Sequence, residues 1–117
     1  MKDYCTITTD LHDGMATLSA AIPGTMEAFG GLMDIAAGAG ALDVKTKELI
    51  ALSIAISLRC DGCIGHHAEA VIAAGASRAE VAEAIGVSIL MGGGPSVVYG
   101  VDALAAFDQL SAGTGER

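Results

Sequence analysis

Proline, the strongest helix breaker, occurs at only two positions of this 117-residue chain, Pro23 and Pro95. Two long stretches are therefore free to form helices. Hydrophobic residues make up 52% of the sequence but aromatic residues only 3%, so the core has to be built from Ala, Leu, Ile, Val and Met. Ala and Leu are strong helix formers, and no strand pattern or internal repeat stands out. We predict an all-α, single-domain fold that spans residues 1–117.

Apolar spacing and capping residues divide the chain into predicted helices. Residues 1–10 show no clear period and are predicted to form an extended N-terminal arm, and residues 111–117 a disordered tail. Ser77 and Glu80 fit a capping box, and Gly75 is a typical helix stop. The predicted segments are Leu11–Ile22, Thr25–Ala37, a helix capped by Asp43 that runs to a break near Arg59, Cys60–Ala74, Arg78–Met91 and Ser96–Leu110.

The third of these helices carries an apolar run, residues 49–58, on nearly every face. We predict it to be the central helix, with Leu49, Leu52 and Ile56 on its buried side and Ile50 on a flank. The mean hydropathy of the chain, +0.55, is high for a monomer of this size. A helix that is apolar all round has to be covered on more than one side, so we also predict a homo-oligomer. The glycines at 92–94 fit close helix packing across a subunit contact.

Charge and hydropathy exclude several classes of partner. Fourteen acidic against six basic residues give a formal charge of −8, whereas binding to nucleic acid or an anionic membrane needs clustered Lys and Arg. The N-terminus shows no secretory signal. The longest uncharged stretch, residues 85–101, is interrupted by Gly92–Pro95 and is shorter than the about 20 apolar residues of a membrane-spanning helix. We expect a cytoplasmic protein that binds neither nucleic acid nor a membrane.

The segment 60–67, CDGCIGHH, concentrates the residues that can carry chemistry. On a helix, with about 100° per residue, Cys60, Cys63 and His67 share one narrow face. Cysteines three residues apart on a helix have Cα atoms close enough for a disulfide. The pair lies in the first turn, where unpaired N–H groups favour a thiolate, and His67 can take the thiol proton or stabilise the anion. These features favour a redox-active pair over two buried hydrophobes.

Other interpretations of this segment stay open. Two Cys and two His are zinc ligands, although four ligands within eight residues of one helix cannot easily surround a tetrahedral ion. The cysteines could instead sense redox state, without turnover, in a helical oligomer. His66 is expected to be a solvated or interface histidine, and Cys5 an incidental free thiol. We predict no metal and no other cofactor.

The region from about residue 42 to residue 94 resembles the carboxymuconolactone decarboxylase-like superfamily and is most similar to its alkylhydroperoxidase D (AhpD)-like branch. The matching features are the run 42–49, LDVKTKEL, the pair Cys60 and Cys63, and His67 four residues after the second cysteine. Glu48 stands twelve residues before Cys60, which is the spacing of that family. One departure is Gly62, because the best-studied members carry a histidine just before the second cysteine.

The resemblance implies an all-α bundle of five or six helices and dimers that often assemble into trimers or hexamers. It also implies a thiol-dependent peroxidase or disulfide oxidoreductase in which Cys63 attacks a peroxide, becomes a sulfenic acid and is resolved by Cys60. Glu48 and His67 relay protons, and the partners are a small-molecule peroxide and a dithiol electron donor. A lactone decarboxylase of the same superfamily is the less favoured alternative, since no basic residue is placed to bind a substrate carboxylate.

Helical geometry alone leaves Glu48 and His67 at different heights. If the two helices fold back about Cys60, Glu48 lies twelve residues before the turn and His67 seven after it. At 1.5 Å per residue the mismatch is about 7 Å, so a tilt, a water bridge or another subunit has to join the two side chains. A simpler explanation for Glu48 is an acid favoured by the helix dipole near an N-terminus.

Overall fold

The computed structural model describes residues 1–113, which form six α-helices. No strand occurs in that part of the chain, so the predicted all-α bundle of five or six helices is confirmed. No helix within these residues combines the length and the apolar character needed to cross a membrane. The helices are α1 Tyr4–Ala21, α2 Pro23–Ala37, α3 Val44–Ser57, α4 Asp61–Ala73, α5 Arg78–Gly92 and α6 Gly94–Gly113.

The predicted extended arm at residues 1–10 is wrong, because α1 begins at Tyr4. Asp3 caps this helix: its carboxylate accepts hydrogen bonds from the backbone N–H groups of Cys5 and Thr6, at 3.1 and 3.2 Å. The side chain of Tyr4 is fully buried in the core. One large buried side chain thus fixes the start of a helix whose first residues show no clear apolar period.

Other predicted boundaries also change, and α6 begins at Gly94 instead of Ser96. Helix α2 begins at Pro23, two residues earlier than predicted, because proline lacks only an N–H that the first helical position leaves unpaired anyway. Helix α6 continues to Gly113, so the predicted disordered tail is wrong for residues 111–113. The rest of that predicted tail, residues 114–117, lies outside the described residues.

Local signals account for the remaining helix ends. Asp43 caps α3, with its carboxylate accepting a backbone N–H at 2.8 Å, and Ser77 and Glu80 form the predicted capping box of α5. Gly75 and Gly93 follow α4 and α5 with left-handed φ angles of 82° and 68°. Glycine adopts this conformation without steric cost, so both helices end where the sequence predicts a stop.

The core lies between α3, α4, α5 and α6 and is closed by the beginning of α1. Leu52 and Ile56 of α3 are buried and Leu49 is partly buried, as predicted. Ile50 is 45% exposed, so its predicted place beside the buried face is wrong. It lines instead an open groove of about 410 Å³ between α3 and α5. The largest fully buried side chains are Tyr4, Leu52, Ile56, Ile64, Val71 and Val81.

Candidate active site

The two cysteines of the CDGC segment lie where α3 turns into α4. Arg59 ends the first helix with a positive φ of 55°, and Cys60 is the N-cap of α4. The Sγ atom of Cys60 accepts a hydrogen bond from the backbone N–H of Cys63 at 3.2 Å. A disulfide joins the two residues, whose Cα atoms lie 5.2 Å apart. The pair therefore occupies the helix start, where backbone N–H groups are available to an anionic sulfur.

Glu48 of α3 and His67 of α4 meet directly within one chain. His67 Nδ1 and Glu48 Oε1 are 2.7 Å apart, and the Glu48 side chain is buried. This direct contact closes the axial mismatch within one chain, so neither a water bridge nor a second subunit is needed to join the two side chains. Glu48 is the fifth residue of α3, beyond the first turn in which the helix dipole acts on a carboxylate. The buried carboxylate is therefore compensated by its hydrogen bond with His67 rather than by the helix dipole.

The disulfide lies in the wall of a half-open pocket of about 270 Å³. Helices α1 and α2 form its apolar wall, and the start of α4 forms its reactive wall. The lining residues are Leu11, Met15, Phe29 and Met33 on the first wall and Cys60, Gly62, Cys63, His66 and His67 on the second. Sequence reasoning missed the apolar wall, because no local signal shows that α2 folds over a segment thirty residues further along the chain.

His66 is part of this pocket, and its expected role as a solvated or interface histidine stays a prediction. Its ring is half-buried and meets the ring of His67 edge-on, with centroids 4.9 Å apart. Burial lowers the pKa of His66, and the charge on His67 lowers it further. The spacing of four residues from Gly62 to His66, about one helical turn, is the signal that could have placed both on the same wall.

Gly62 leaves this wall of the pocket open. A Cβ atom at this position would come 3.5 Å from Leu11 Cδ2, an ordinary van der Waals distance. A larger side chain there would extend into the pocket, between α4 and α1. The absence of a histidine at this position thus enlarges the space over the disulfide.

The first turn of α4 is anchored by residues near the N-terminus. The Lys2 ammonium donates to Asp61 and to Asp102 of α6, both at 2.8 Å, and the Tyr4 hydroxyl donates to Asp61 at 3.2 Å. Hydrogen bonds to these two carboxylates raise the pKa of Lys2, and burial raises that of Tyr4. This network was also missed from the sequence, because its members are up to 100 residues apart.

Among residues 1–113 no three His, Cys, Asp or Glu side chains are grouped so that they could hold an ion. Cys60 and Cys63 are joined to each other, and Nδ1 of His67 is bonded to Glu48.

The fold and the site together describe an all-α bundle with a disulfide at a helix start, an apolar pocket above it and a Glu–His pair beside it. The chain belongs to the carboxymuconolactone decarboxylase family, whose model matches residues 23–106. An uncharacterised protein of Cupriavidus necator is 38% identical over 110 residues, which cover 94% of this chain and 97% of the relative.

Solved structures agree with this assignment. A family member from Legionella pneumophila superposes with a TM-score of 0.90 and 41% identity, over 92% of this chain and 96% of that one. A family member from Thermotoga maritima has a TM-score of 0.81 and 28% identity, over 94% and 96% of the two chains. Involvement in an antioxidative response has been suggested for the Thermotoga protein.

Proposed function

We propose that this protein is a thiol-dependent peroxidase that passes electrons from a dithiol donor to a small-molecule peroxide. The observation that carries the proposal is the Cys60–Cys63 pair at the start of α4, which shares a pocket with the Glu48-bound His67. Thiolates at helix starts beside a histidine are the activated form of cysteine. The suggested antioxidative role of the Thermotoga relative points in the same direction.

In the proposed cycle Cys63 is the attacking thiol, because it lies one helical turn from His67. With its Nδ1–H donating to Glu48, the neutral imidazole of His67 has its other nitrogen free to take the thiol proton. The thiolate attacks one peroxide oxygen, the O–O bond breaks, and the other oxygen leaves with the electron pair and a proton. Cys63 becomes a sulfenic acid, and the leaving oxygen becomes the hydroxyl group of an alcohol. The oxygen held by Cys63 leaves as water in the next step.

Cys60 is the resolving thiol of the cycle. Its sulfur attacks the sulfenic acid, an S–S bond forms, and the sulfenic oxygen leaves as water. A dithiol donor then reduces the disulfide by exchange, so two electrons pass from donor to peroxide in each turnover. No metal or organic cofactor enters these steps, and a cytoplasmic setting supplies reduced dithiols.

The deciding experiment treats reduced protein with one equivalent of peroxide and analyses it by mass spectrometry. Wild type should form a Cys60–Cys63 disulfide that a dithiol reverses. Cys60→Ser should stop at a sulfenic acid on Cys63 that over-oxidises with excess peroxide, while Cys63→Ser should not form that acid at a comparable rate. Cys5→Ser, which removes a thiol outside the pocket, is the matched control and should behave as wild type.

Two outcomes would contradict the proposal. Sulfenic acid on Cys60 of the Cys63→Ser variant, formed at the wild-type rate, would reverse the assignment of the two thiols. No oxidation of either cysteine by any peroxide would favour a metal-binding or redox-sensing role instead, and metal analysis of protein purified without chelator would separate those two.

A second copy of the chain is the partner proposed for its exposed apolar surface. Helix α2 buries no residue within the chain, although Leu32 and Ile35 on it are 60% and 82% exposed. Leu90 and Met91 at the end of α5 are about as exposed, at 79% and 80%. Apolar patches of this kind mark protein contacts, so a dimer, trimer or hexamer that buries more than about 2,000 Å² is proposed.

A further inference from the structure

His66 lies on the reactive wall of the pocket, three residues after Cys63. His67, its neighbour, is bonded to Glu48 at 2.7 Å. By contrast, neither ring nitrogen of His66 has a hydrogen-bond partner among residues 1–113, and its ring is only half-buried. The pocket therefore holds two imidazoles: one is committed to a carboxylate, and the other can bond to a ligand.

Cleavage of a peroxide bond makes two separate demands on such a pocket. The attacking sulfur has to become a thiolate, which is the task proposed for His67 and Glu48. The leaving oxygen takes the electron pair of the O–O bond, and its developing charge needs a hydrogen-bond donor. The wall formed by α1 and α2 offers only Leu, Met and Phe side chains, so this donor has to come from α4.

We propose that His66 is a catalytic residue whose ring N–H donates a hydrogen bond to the leaving oxygen while Cys63 attacks the other oxygen. The inference rests on the proposed peroxidase function. An S–O bond forms as the O–O bond breaks, and the alkoxide receives the proton that His67 took from the thiol. One thiol and one hydroperoxide thus give one sulfenic acid and one alcohol, with Cys63 oxidised by two electrons and the peroxide reduced by two.

The groups around His66 favour the neutral ring that this role requires. Burial and the charge of His67 lower the pKa of His66, and His12 of α1 acts in the same direction. Glu48 and Glu69 act in the opposite direction but more weakly than burial. A neutral imidazole has one N–H and one unprotonated nitrogen, so the ring can donate a hydrogen bond without losing its proton.

The test compares two peroxides that differ in their leaving group. Tert-butyl hydroperoxide expels a strongly basic alkoxide, which depends on a donor, whereas peracetic acid expels a carboxylate, which does not. The variants are His66→Phe, which removes the N–H, and His66→Gln, which keeps one. His12→Gln is the matched control, because that histidine is exposed and paired with Glu69 at 3.5 Å, outside the pocket.

We expect His66→Phe to slow oxidation of Cys63 by tert-butyl hydroperoxide about 10²-fold, the usual effect of losing one such donor. Oxidation by peracetic acid should change little, and His66→Gln should recover most of the loss. Alkylation of Cys63 by iodoacetamide, whose iodide needs no donor, should be unchanged and shows that the thiolate and the fold are intact.

Equal losses with both peroxides, or a parallel loss of alkylation, would show that His66 only shapes the pocket and would overturn the inference. Unchanged rates in His66→Phe would overturn it as well. Failure of wild type to react with either peroxide is a different result: it contradicts the proposed function itself, and the inference falls with it.

Discussion

Replacement of Gly65 by alanine tests the packing that holds the pocket together. Gly65 lies in α4 opposite Thr8 of α1, and a Cβ atom there would come 2.7 Å from Thr8 Cγ2 and 3.4 Å from Tyr4 Cδ1. Thr8 cannot turn its methyl group away without loss, because its hydroxyl donates to the Tyr4 carbonyl at 2.8 Å. Helix α1 would have to move outward, and with it the pocket wall that contains Leu11.

The magnitude follows from two opposing effects. Overpacking of a tight core contact costs about 1–3 kcal/mol, and alanine in place of glycine within a helix gains about 0.8–1 kcal/mol. Gly65→Ala should therefore lower the free energy of unfolding by about 1 kcal/mol, or the Tm by about 4 °C. Gly14→Ala, in an exposed part of α1 with nothing within 4 Å of its added Cβ, should show only the gain.

The assay is thermal unfolding followed by circular dichroism at one fixed protein concentration, because oligomerisation couples Tm to concentration. Thr8→Ser removes Cγ2 but keeps the hydroxyl, so the cost of Gly65→Ala should largely disappear in the Thr8→Ser background. If Gly65→Ala stabilised the protein as much as Gly14→Ala, α1 would not approach α4 at this point. An equal cost in both backgrounds would show that Thr8 is not the obstacle.

Three further predictions concern the site and the surface. Glu48→Gln keeps the shape of the side chain but removes the charge that holds His67, and should slow peroxide-driven disulfide formation about 10²-fold; an unchanged rate would exclude a proton relay. Alkylation of reduced Cys63 should persist at lower pH than that of Cys5, and superimposable pH profiles would contradict an activated thiol. Leu90→Asp should shift the oligomer toward smaller species by light scattering, and an unchanged mass would exclude this face as a contact.

Much of the fold could be predicted because its signals are local. The caps at Asp43 and Ser77 and the stop at Gly75 each depend on a side chain or backbone conformation within a few residues of the helix end. The cysteine pair is local as well, since Cys60 and Cys63 occupy one helical turn. Such features follow from residue type and spacing, whatever the rest of the chain does.

The features that escaped prediction depend on distant contacts. The start of α1 at Tyr4 depends on a buried pocket that α4 and α6 provide, and Lys2 finds its two carboxylates 59 and 100 residues away. The placement of α2 over the disulfide, and with it the position of His66 inside a pocket, depends on the path of the chain rather than on any period. Spacing alone also left the Glu48–His67 distance open, because it fixes positions along an axis and not the stagger between two helices.

Helix α4 shows why the candidate site was both visible and incomplete in the sequence. Ile64, Ala68 and Val71 of this helix are fully buried, so the core fixes the orientation of the whole element. The faces that remain carry Cys63 and the two histidines, which line the pocket, and Gly65, which packs against α1. A helix that contacts neighbours on every face shows no clean apolar stripe. Its cysteine and histidines can therefore be recognised in the sequence by residue type but not by their position relative to an apolar stripe. The same helix packs in the core and carries Cys63 of the disulfide. Substitutions in its packing partners should therefore change the reactivity of the cysteine pair by displacing the pocket wall slightly, although every catalytic group is still present.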